Sequence, residues 1–153
     1  VKAARESLKS LMQDMIKLTD DDAAVFEPLS KAYGLPKDTP QQQEYKEKVL
    51  EDVLYKASKV PLNIMETVLK AMKLLDIVGE KGSTLVISDV GVAIIFAQAA
   101  IEGASLNIFI NTKLMKDEAH KKELDSRADA IIEEGRKLKE KVSGVVMQKI
   151  RPS

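Results

Sequence analysis

The sequence predicts an all-α protein, an antiparallel bundle of four main, kinked helices. Apolar residues recur every three or four positions along most of the chain. Glycines, prolines and a short charged turn separate four such stretches, and no stretch alternates apolar and polar residues as a half-buried strand does. A chain of 153 residues has the length of one ordinary domain. We therefore predict a single helical domain over residues 1–153.

The first helix is expected from about residue 3 to Tyr33. Gly34 and Pro36 follow it in the usual order for a helix C-terminus. Pro28 lies inside this stretch and is expected to kink or interrupt the helix. The first residues show the pattern of the middle of a helix, with no cap before them. The domain is therefore predicted to be N-terminally incomplete.

The second helix is expected to start at a capping box. Thr39 is placed to cap it and Gln42 lies three residues later, with a proline at the first helical position between them. Pro61 interrupts the apolar pattern without ending it, which leaves open one bent helix or two abutting ones. Gly79 and Gly82 are predicted to end this helical stretch.

The third helix, over about residues 88–112, is almost wholly apolar or small. Ser88 is its predicted cap, and a helix of this composition is expected to be buried on most sides. It nevertheless carries Asp89 near its start and Asn107 and Asn111 near its end. At 100° per residue the three polar side chains fall on one stripe. Polar groups inside a buried helix either line a cavity or belong to a hydrogen-bonded network.

The fourth helix is expected to begin near residues 116–118 and to run toward Ile150. Its apolar residues lie on one face, and the other positions are mostly charged. This pattern is typical of a surface helix that closes a bundle.

Composition excludes several classes of function. Lys plus Arg and Asp plus Glu both number 24, so no net charge attracts the chain to nucleic acid or to an anionic membrane. The absence of Trp argues against base stacking, and the absence of Cys together with a single His argues against disulfides, thiolate catalysis and a metal site. The longest strictly apolar run, residues 90–97, is too short to cross a membrane. No signal peptide opens the sequence, so we predict a cytoplasmic protein.

The polar stripe of the third helix has alternative interpretations. Asp89 is either an acid that interacts with the helix dipole or a carboxylate that binds the edge of a flat amino-heterocycle. Asn107 and Asn111 are either a structural amide pair or ligand-binding groups. A straight helix separates Asp89 from Asn107 by about 27 Å. Consequently either the ligand is long, or two subunits bring opposite helix ends together, or only one end is catalytic.

Two further residues are candidates for ligand binding. Asp22 belongs to the acidic run of residues 20–22, which is mostly a solvated face, and it alone has a case for pointing inward because Ala23 and Phe26 follow it. Lys37 lies on the loop after the first helix, where it either binds an anion or is solvated.

An ordered set of short segments along the chain has the order and spacing of a known family. They are residues 22–26, 33–37, 57–62, 88–93, 100–104, 107–111 and 116–118. With these segments the chain resembles the cyclodeaminase/methenyltetrahydrofolate cyclohydrolase family over about residues 15–135. The family's N-terminal glycine-rich helix segment has no counterpart here, and the family usually has Gly-Asn where this chain has Gly82-Ser83.

The resemblance implies a folate enzyme of one-carbon metabolism. One family activity, formiminotetrahydrofolate cyclodeaminase, closes a ring on the one-carbon unit and expels ammonia. The other, methenyltetrahydrofolate cyclohydrolase, adds water to the cationic methenyl bridge. Neither requires a metal, a thiol or a redox cofactor, so the implied ligand is a tetrahydrofolate derivative as substrate and no cofactor is expected.

With this resemblance, our hypothesis assigns roles to five residues. Asp89 and Asn111 are catalytic: Asp89 binds or polarises the pterin or one-carbon end, and Asn111 orients substrate or water. Asn107, Lys37 and Asp22 bind the substrate, with Lys37 holding the anionic glutamate tail. These groups would hold a reactive conformation and stabilise a cationic amidinium.

A non-enzymatic alternative stays open. The chain would then be a helical dimerisation or scaffold module, or an inactive fragment of the enzyme. In either case a homodimer or higher homo-oligomer is expected, because the third helix offers more apolar surface than three partner helices need to cover.

Overall fold

A computed structural model describes residues 1–152 as four long α-helices. They are α1 (Lys2–Tyr33), α2 (Pro40–Lys81), α3 (Ile87–Thr112) and α4 (Glu118–Ile150), with a 3₁₀ turn at Thr84–Val86 before α3. The described residues contain no strand. The prediction of an all-α bundle of four main helices is therefore confirmed.

The longest helix, α2, is the centre of the fold. It packs against α1, α3 and α4, and α3 and α4 also pack against each other. Its 42 residues extend for about 63 Å, so different partners meet it along different parts of its length. The largest fully buried hydrophobic side chains between these helices are Leu54, Met65, Met72, Ile94, Ile101, Ile108, Leu124 and Val142.

One of the two predicted helix caps is confirmed, and the predicted start of the fourth helix agrees with the structure. Thr39 and Gln42 form the predicted capping box at α2. The fourth helix begins at Glu118. The Asp117 side chain caps it by accepting hydrogen bonds from the backbone N–H groups of Ala119 and His120. The predicted cap at Ser88 is wrong, because this residue lies inside the first turn of α3. The chain enters α3 directly from the 3₁₀ turn, and Ser83 caps that turn instead.

Neither internal proline ends its helix. Pro28 lies within the continuous α1, and Pro61 lies buried within the continuous α2, so α2 is one helix rather than two abutting ones. Gly79 also lies inside α2, whose last residue comes just before Gly82. A proline removes one backbone hydrogen bond, and packing along the rest of a long helix outweighs that local loss.

The expectation that α3 is buried on most sides is wrong. Its inner face packs on α2 and α4, but its outer face is open, and five large apolar side chains there are more than half exposed. The reason is geometric: α1 packs on α2 and leaves a groove beside α3 instead of covering it. These side chains are Val92 (53%), Ile95 (53%), Phe96 (69%), Leu106 (68%) and Ile110 (64%).

The segment Thr84–Thr112 is also long and apolar enough to cross a membrane, with a mean hydropathy of 2.0. The core helix of a soluble protein meets the same criteria of length and composition. Here the inner face of α3 is in contact with α2 and α4. These contacts are those of a core helix that is covered on one side.

Ion pairs link α2 to α4 along their length. Lys59 lies 2.7 Å from Glu123, and that ammonium lowers the pKa of the Glu123 carboxyl through a direct hydrogen bond. Glu66 lies 2.9 Å from Arg127, further along both helices. Exposed pairs of this kind contribute little to stability one by one. Their main effect is on register, because a shift of either helix would separate several pairs at once.

Gly135 of α4 lies against α3 with no room for a side chain. A Cβ atom there would overlap the Oε1 atom of Gln98 and lie 3.1 Å from Cδ1 of Ile101. Gln98 is buried and its amide nitrogen donates to Glu102 Oε1 at 2.8 Å, which restricts its movement. Close contact between these helices therefore requires a residue without a side chain at this position.

Gly135→Ala is expected to lower the free energy of unfolding by about 1–3 kcal/mol, because it forces Gln98 or Ile101 out of place. Gly144→Ala in the same helix is the control, since a Cβ atom there meets nothing within 4 Å. That substitution should leave stability unchanged or raise it by up to about 1 kcal/mol through helix propensity. Urea unfolding followed by circular dichroism measures both changes. Equal stability of the two variants would show that the Gly135 contact is not close.

Candidate functional site

A pocket of about 370 Å³ lies between the second half of α1, the middle of α2 and the C-terminal end of α3. Its volume is in the range of small-molecule sites, and most of its wall is apolar with a few polar groups. The lining residues are Asp22, Val25, Phe26, Leu29, Tyr33, Ala57, Pro61, Asn107, Ile110, Asn111 and Leu114.

Three of the five predicted site residues meet in this pocket. They are Asp22 from α1 and the amide pair Asn107 and Asn111 from α3. Asn111 is only 8% exposed, whereas Asp22 and Asn107 are exposed at the pocket rim. The pocket therefore combines one carboxylate with two amides that can both donate and accept hydrogen bonds.

No side-chain hydrogen bond to the protein gives the two amides a structural role. Among residues 1–152, the side chains of Asn107 and Asn111 make no hydrogen bond to another protein group, although the neighbouring Thr112 and Ser105 do. A structural amide pair would be expected to satisfy a neighbouring loop. A partly buried amide without a protein partner favours ligand binding instead.

Two aromatic residues of the pocket were not identified from the sequence. Phe26 is 65% exposed and Tyr33 is 46% exposed, and both line the pocket beside Asp22. Their flat faces are suited to contact with a planar heterocycle. Their spacing in the sequence could have identified them as pocket residues. The pocket residues of α1 are separated by four, three and four positions, which places them on one face of the helix: Asp22, Phe26, Leu29 and Tyr33.

The other two predicted residues lie outside this pocket. Asp89 is exposed in the first turn of α3, five helical turns before Asn107 and about 27 Å from it. The expectation that Asp89 and Asn107 lie inside a buried helix is therefore wrong, because both are on the side of α3 that α2 and α4 leave open. Lys37 is exposed on the α1–α2 loop, four residues after Tyr33.

Polar contacts hold both walls of the pocket in place. The Lys46 ammonium donates to the carbonyl oxygens of Tyr33 (2.6 Å) and Leu35 (2.7 Å), which stabilises the C-terminal end of α1. At the end of α3, the Thr112 hydroxyl donates to Asp125 Oδ1 at 2.6 Å. Both the aromatic wall and the amide wall are thus fixed to neighbouring helices.

The pocket contains no set of residues typical of a metal site. Within residues 1–152, no group of three or more His, Cys, Asp and Glu side chains is placed to hold a metal ion. The groups available for chemistry are therefore one carboxylate, two amides and a phenol.

Known proteins share this fold and about a third or less of this sequence by identity. The sequence profile of the family described as formiminotransferase-cyclodeaminase matches residues 1–130. The chain belongs to this family. It is 31% identical over 150 residues to the methenyltetrahydrofolate cyclohydrolase of Methylorubrum extorquens, covering 98% of this chain and 72% of that protein.

Two further relatives extend the comparison. The formimidoyltransferase-cyclodeaminase of Sus scrofa is 33% identical over 122 residues, which cover 80% of this chain but only 23% of that longer protein. The crystal structure of formiminotetrahydrofolate cyclodeaminase from Thermotoga maritima has the same fold, with a TM-score of 0.81 and 20% sequence identity. That match covers 95% of this chain and 68% of the Thermotoga chain. The resemblance noted from the ordered segments is therefore confirmed at the level of the family.

Lys46→Met is expected to loosen the α1 wall of the pocket, because it removes two charge-assisted hydrogen bonds while keeping most of the side chain. We expect a loss of about 1–2 kcal/mol in stability and faster amide hydrogen exchange around residues 33–37. Lys48→Met is the matched control on the same helix, since Lys48 is exposed. Hydrogen exchange with mass spectrometry measures the effect. Unchanged exchange in the Lys46 variant would show that this contact does not hold the helix end.

Proposed function

We propose that this protein is an enzyme acting on a one-carbon derivative of tetrahydrofolate, as a methenyltetrahydrofolate cyclohydrolase or a formimidoyltetrahydrofolate cyclodeaminase. The observation that supports this most is the convergence of Asp22, Asn107 and Asn111 in one pocket with aromatic walls. Family membership adds the substrate class, because its named relatives act in folate one-carbon chemistry.

The groups in the pocket suit both reactions. In the cyclohydrolase reaction, a water oxygen bonds to the methenyl carbon, and the bond from that carbon to N5 breaks with its electron pair left on N5. One proton of the water goes to N5 and the other is released. The substrate is an amidinium cation, so the Asp22 carboxylate would stabilise it beside an apolar wall. Asn107 and Asn111 would orient the attacking water, since each amide oxygen can accept a hydrogen bond from it.

The cyclodeaminase reaction uses the same groups in another order. N10 of the substrate with a protonated formimino group bonds to the one-carbon unit, and the N10 proton moves to the terminal nitrogen. The bond from the carbon to that nitrogen then breaks, which releases ammonia. The product is again the methenyl cation, and the Asp22 carboxylate would stabilise it as it forms. The amides would orient the departing nitrogen.

The comparisons supply support for each activity. The cyclohydrolase of Methylorubrum extorquens aligns with nearly the whole chain, which makes hydrolysis the first candidate. The porcine bifunctional protein matches at a similar identity, which keeps deamination as the second. The non-catalytic scaffold is disfavoured because the two pocket amides have no protein partner.

Two assays on the purified protein test the proposal. Hydrolysis is followed as the loss of methenyltetrahydrofolate absorbance, and deamination as ammonia release from 5-formiminotetrahydrofolate. Binding of 5-formyltetrahydrofolate, a stable analogue, is titrated in parallel. Turnover of either substrate supports the enzyme, whereas saturable binding without turnover indicates an inactive fragment. No binding and no turnover would contradict the proposal.

Asn111→Ala is expected to lower kcat/KM about 100-fold or more, because a preorganised polar group is lost from the reacting centre. Asn63→Ala is the matched control, since Asn63 is an exposed amide on α2 outside the pocket. Steady-state kinetics with the better of the two substrates gives the comparison, and circular dichroism checks folding. Normal kinetics in a folded Asn111 variant would remove this amide from the mechanism.

Lys37 remains a proposed contact for the glutamate tail of the substrate. It is exposed on the loop that follows the pocket residue Tyr33, so an anionic tail leaving the pocket on that side would pass within reach of it. A cytoplasmic location likewise remains a prediction of the sequence.

We also propose that the enzyme is a homodimer through the outer face of α3. Five large side chains on one helix, each more than half exposed, leave on the order of 500 Å² of apolar surface, and a contiguous apolar patch of this size is often an interaction site. A second copy of the same face would cover it with the closed symmetry usual for homo-oligomers.

Ala99→Glu is expected to convert the dimer to a monomer, because it introduces a charge at the middle of this apolar face. Ala99 is exposed in the single chain, so folding should be retained. The control Ser126→Glu adds the same charge at an exposed position on α4. Sedimentation velocity measures the mass of each variant. A wild-type protein that is monomeric at micromolar concentration would contradict the homodimer.

A further inference from the structure

We propose that Thr112 and Asp125 are positioning residues for the reaction, because their hydrogen bond holds Asn111 at the place from which its amide acts. This inference rests on the proposed function and deepens it. It uses only the inner contacts that the end of α3 makes with α4 and α2. It therefore holds whether the outer face of α3 is open or covered.

Asn111 lies at a part of the chain that is weak in an isolated helix. It is the last residue but one of α3, which ends at Thr112. The final carbonyl groups of a helix have no partner in a following turn, so the last residues of a helix open easily. An amide on such an end would occupy many positions, whereas catalysis requires one. A contact with another helix is therefore needed to fix the end of α3.

The side chain of Asn111 does not provide that contact. It is only 8% exposed, yet within residues 1–152 it forms no hydrogen bond to another protein group. Its backbone carbonyl oxygen accepts the Leu114 N–H at 3.0 Å, which continues the turn at the end of the helix. The backbone that carries the amide therefore determines where the amide lies. Its position depends on what holds residues 112–117.

Thr112 ties the end of α3 to α4. It is 2% exposed, and its hydroxyl donates to Asp125 Oδ1 at 2.6 Å, a distance typical of a hydroxyl that donates to a carboxylate. Such hydrogen bonds are roughly twice as strong as those between neutral groups. Consecutive helical side chains point about 100° apart, so Thr112 can face α4 while Asn111 faces the pocket. The bond thus fixes the backbone one residue away from the amide.

A second contact ties the following loop to α2. The Glu51 carboxylate accepts hydrogen bonds from the backbone N–H groups of Lys116 and Asp117, at 2.8 and 3.2 Å. Met115 is buried immediately before them. This contact holds the loop at a distance of five residues from Asn111. The hydrogen bond of Thr112 is therefore the polar anchor nearest to the amide.

Thr112→Val tests the assignment, because it removes the hydroxyl and keeps the shape of the side chain. We expect kcat to fall about tenfold, since a small misplacement of a catalytic group can cost about 100-fold. Thr112→Ser keeps the hydroxyl and should retain most of the activity. Equal losses in the two variants, or an unchanged kcat in Thr112→Val, would overturn the inference.

Binding of 5-formyltetrahydrofolate is titrated for each variant. The titration counts the sites that bind, so a loss of folded protein is not mistaken for a loss of catalysis. The number of sites should remain that of the wild-type protein while kcat falls. A fall in activity that only follows the number of sites would contradict a positioning role.

Asp125→Ala removes the acceptor of the same hydrogen bond. It should lower kcat by a similar factor, and combining it with Thr112→Val should cost no more than either change alone. Asp129→Ala is the matched control, because it removes an exposed acid one turn further along α4. It should leave kcat unchanged. A normal kcat in a folded Asp125 variant would refute the assignment.

A double-mutant cycle with Asn111→Ala separates positioning from a general structural role. Once the amide is absent, loss of the Thr112 hydroxyl should have no further effect on kcat/KM. If the hydrogen bond only stabilised the fold, the two losses would multiply. Multiplied losses would therefore show that Thr112 does not act through Asn111.

Amide hydrogen exchange gives a result that does not depend on folate. Exchange over residues 109–115 should be about tenfold faster in Thr112→Val and in Asp125→Ala, because the end of α3 opens more often. Unchanged exchange in an active enzyme would overturn the anchor while the proposed function stood. Faster exchange in a protein without folate turnover would confirm the anchor but remove its role in this reaction together with the proposed function. The two failures are therefore distinguishable.

Discussion

The inner face of α3 packs against α2 and α4, and this contact fixes the direction of every polar group on the helix. Ile94, Ile101 and Ile108 are fully buried there. Because these residues recur every seven positions, they set the rotation of α3 about its axis. Asn111 is then turned toward α1 and α2, while Asp89 and Asn107 stay on the open side.

The pocket follows from the same packing. α1 contacts α2 and stands apart from α3, so a space remains above α2 between the two helices. Asp22 and Tyr33 border it from one side and the amide pair from the other. Lys46 and the Thr112–Asp125 hydrogen bond hold the two walls at this separation. A cationic bicyclic substrate would find an apolar cleft with its few polar groups near the end of α3.

One-sided burial also connects the catalytic proposal with the oligomeric one. The open apolar face of α3 is the surface through which we propose that two copies pair, and the same side of the helix carries Asn107 of the pocket.

Local chemistry made several features predictable from the sequence. Three features depend on residues that are close together in the sequence and could therefore be predicted from it. They are the capping box at Thr39 and Gln42, the start of the fourth helix and the four-helix class. The ordered segments also identified the family. The predicted cap at Ser88 failed because a preceding 3₁₀ turn replaced it, which no short pattern showed.

Only the tertiary structure decided which sides of α3 are covered. Composition describes how apolar a helix is, but burial depends on where the other helices lie. Asn111 proved buried and Asp89 exposed, although both belong to one stripe. Likewise, Phe26 and Tyr33 became pocket residues because α1 faces the end of α3 across α2. Sequence alone determined the helices and the family, and the packing of α1 and α3 on α2 determined which residues form a site.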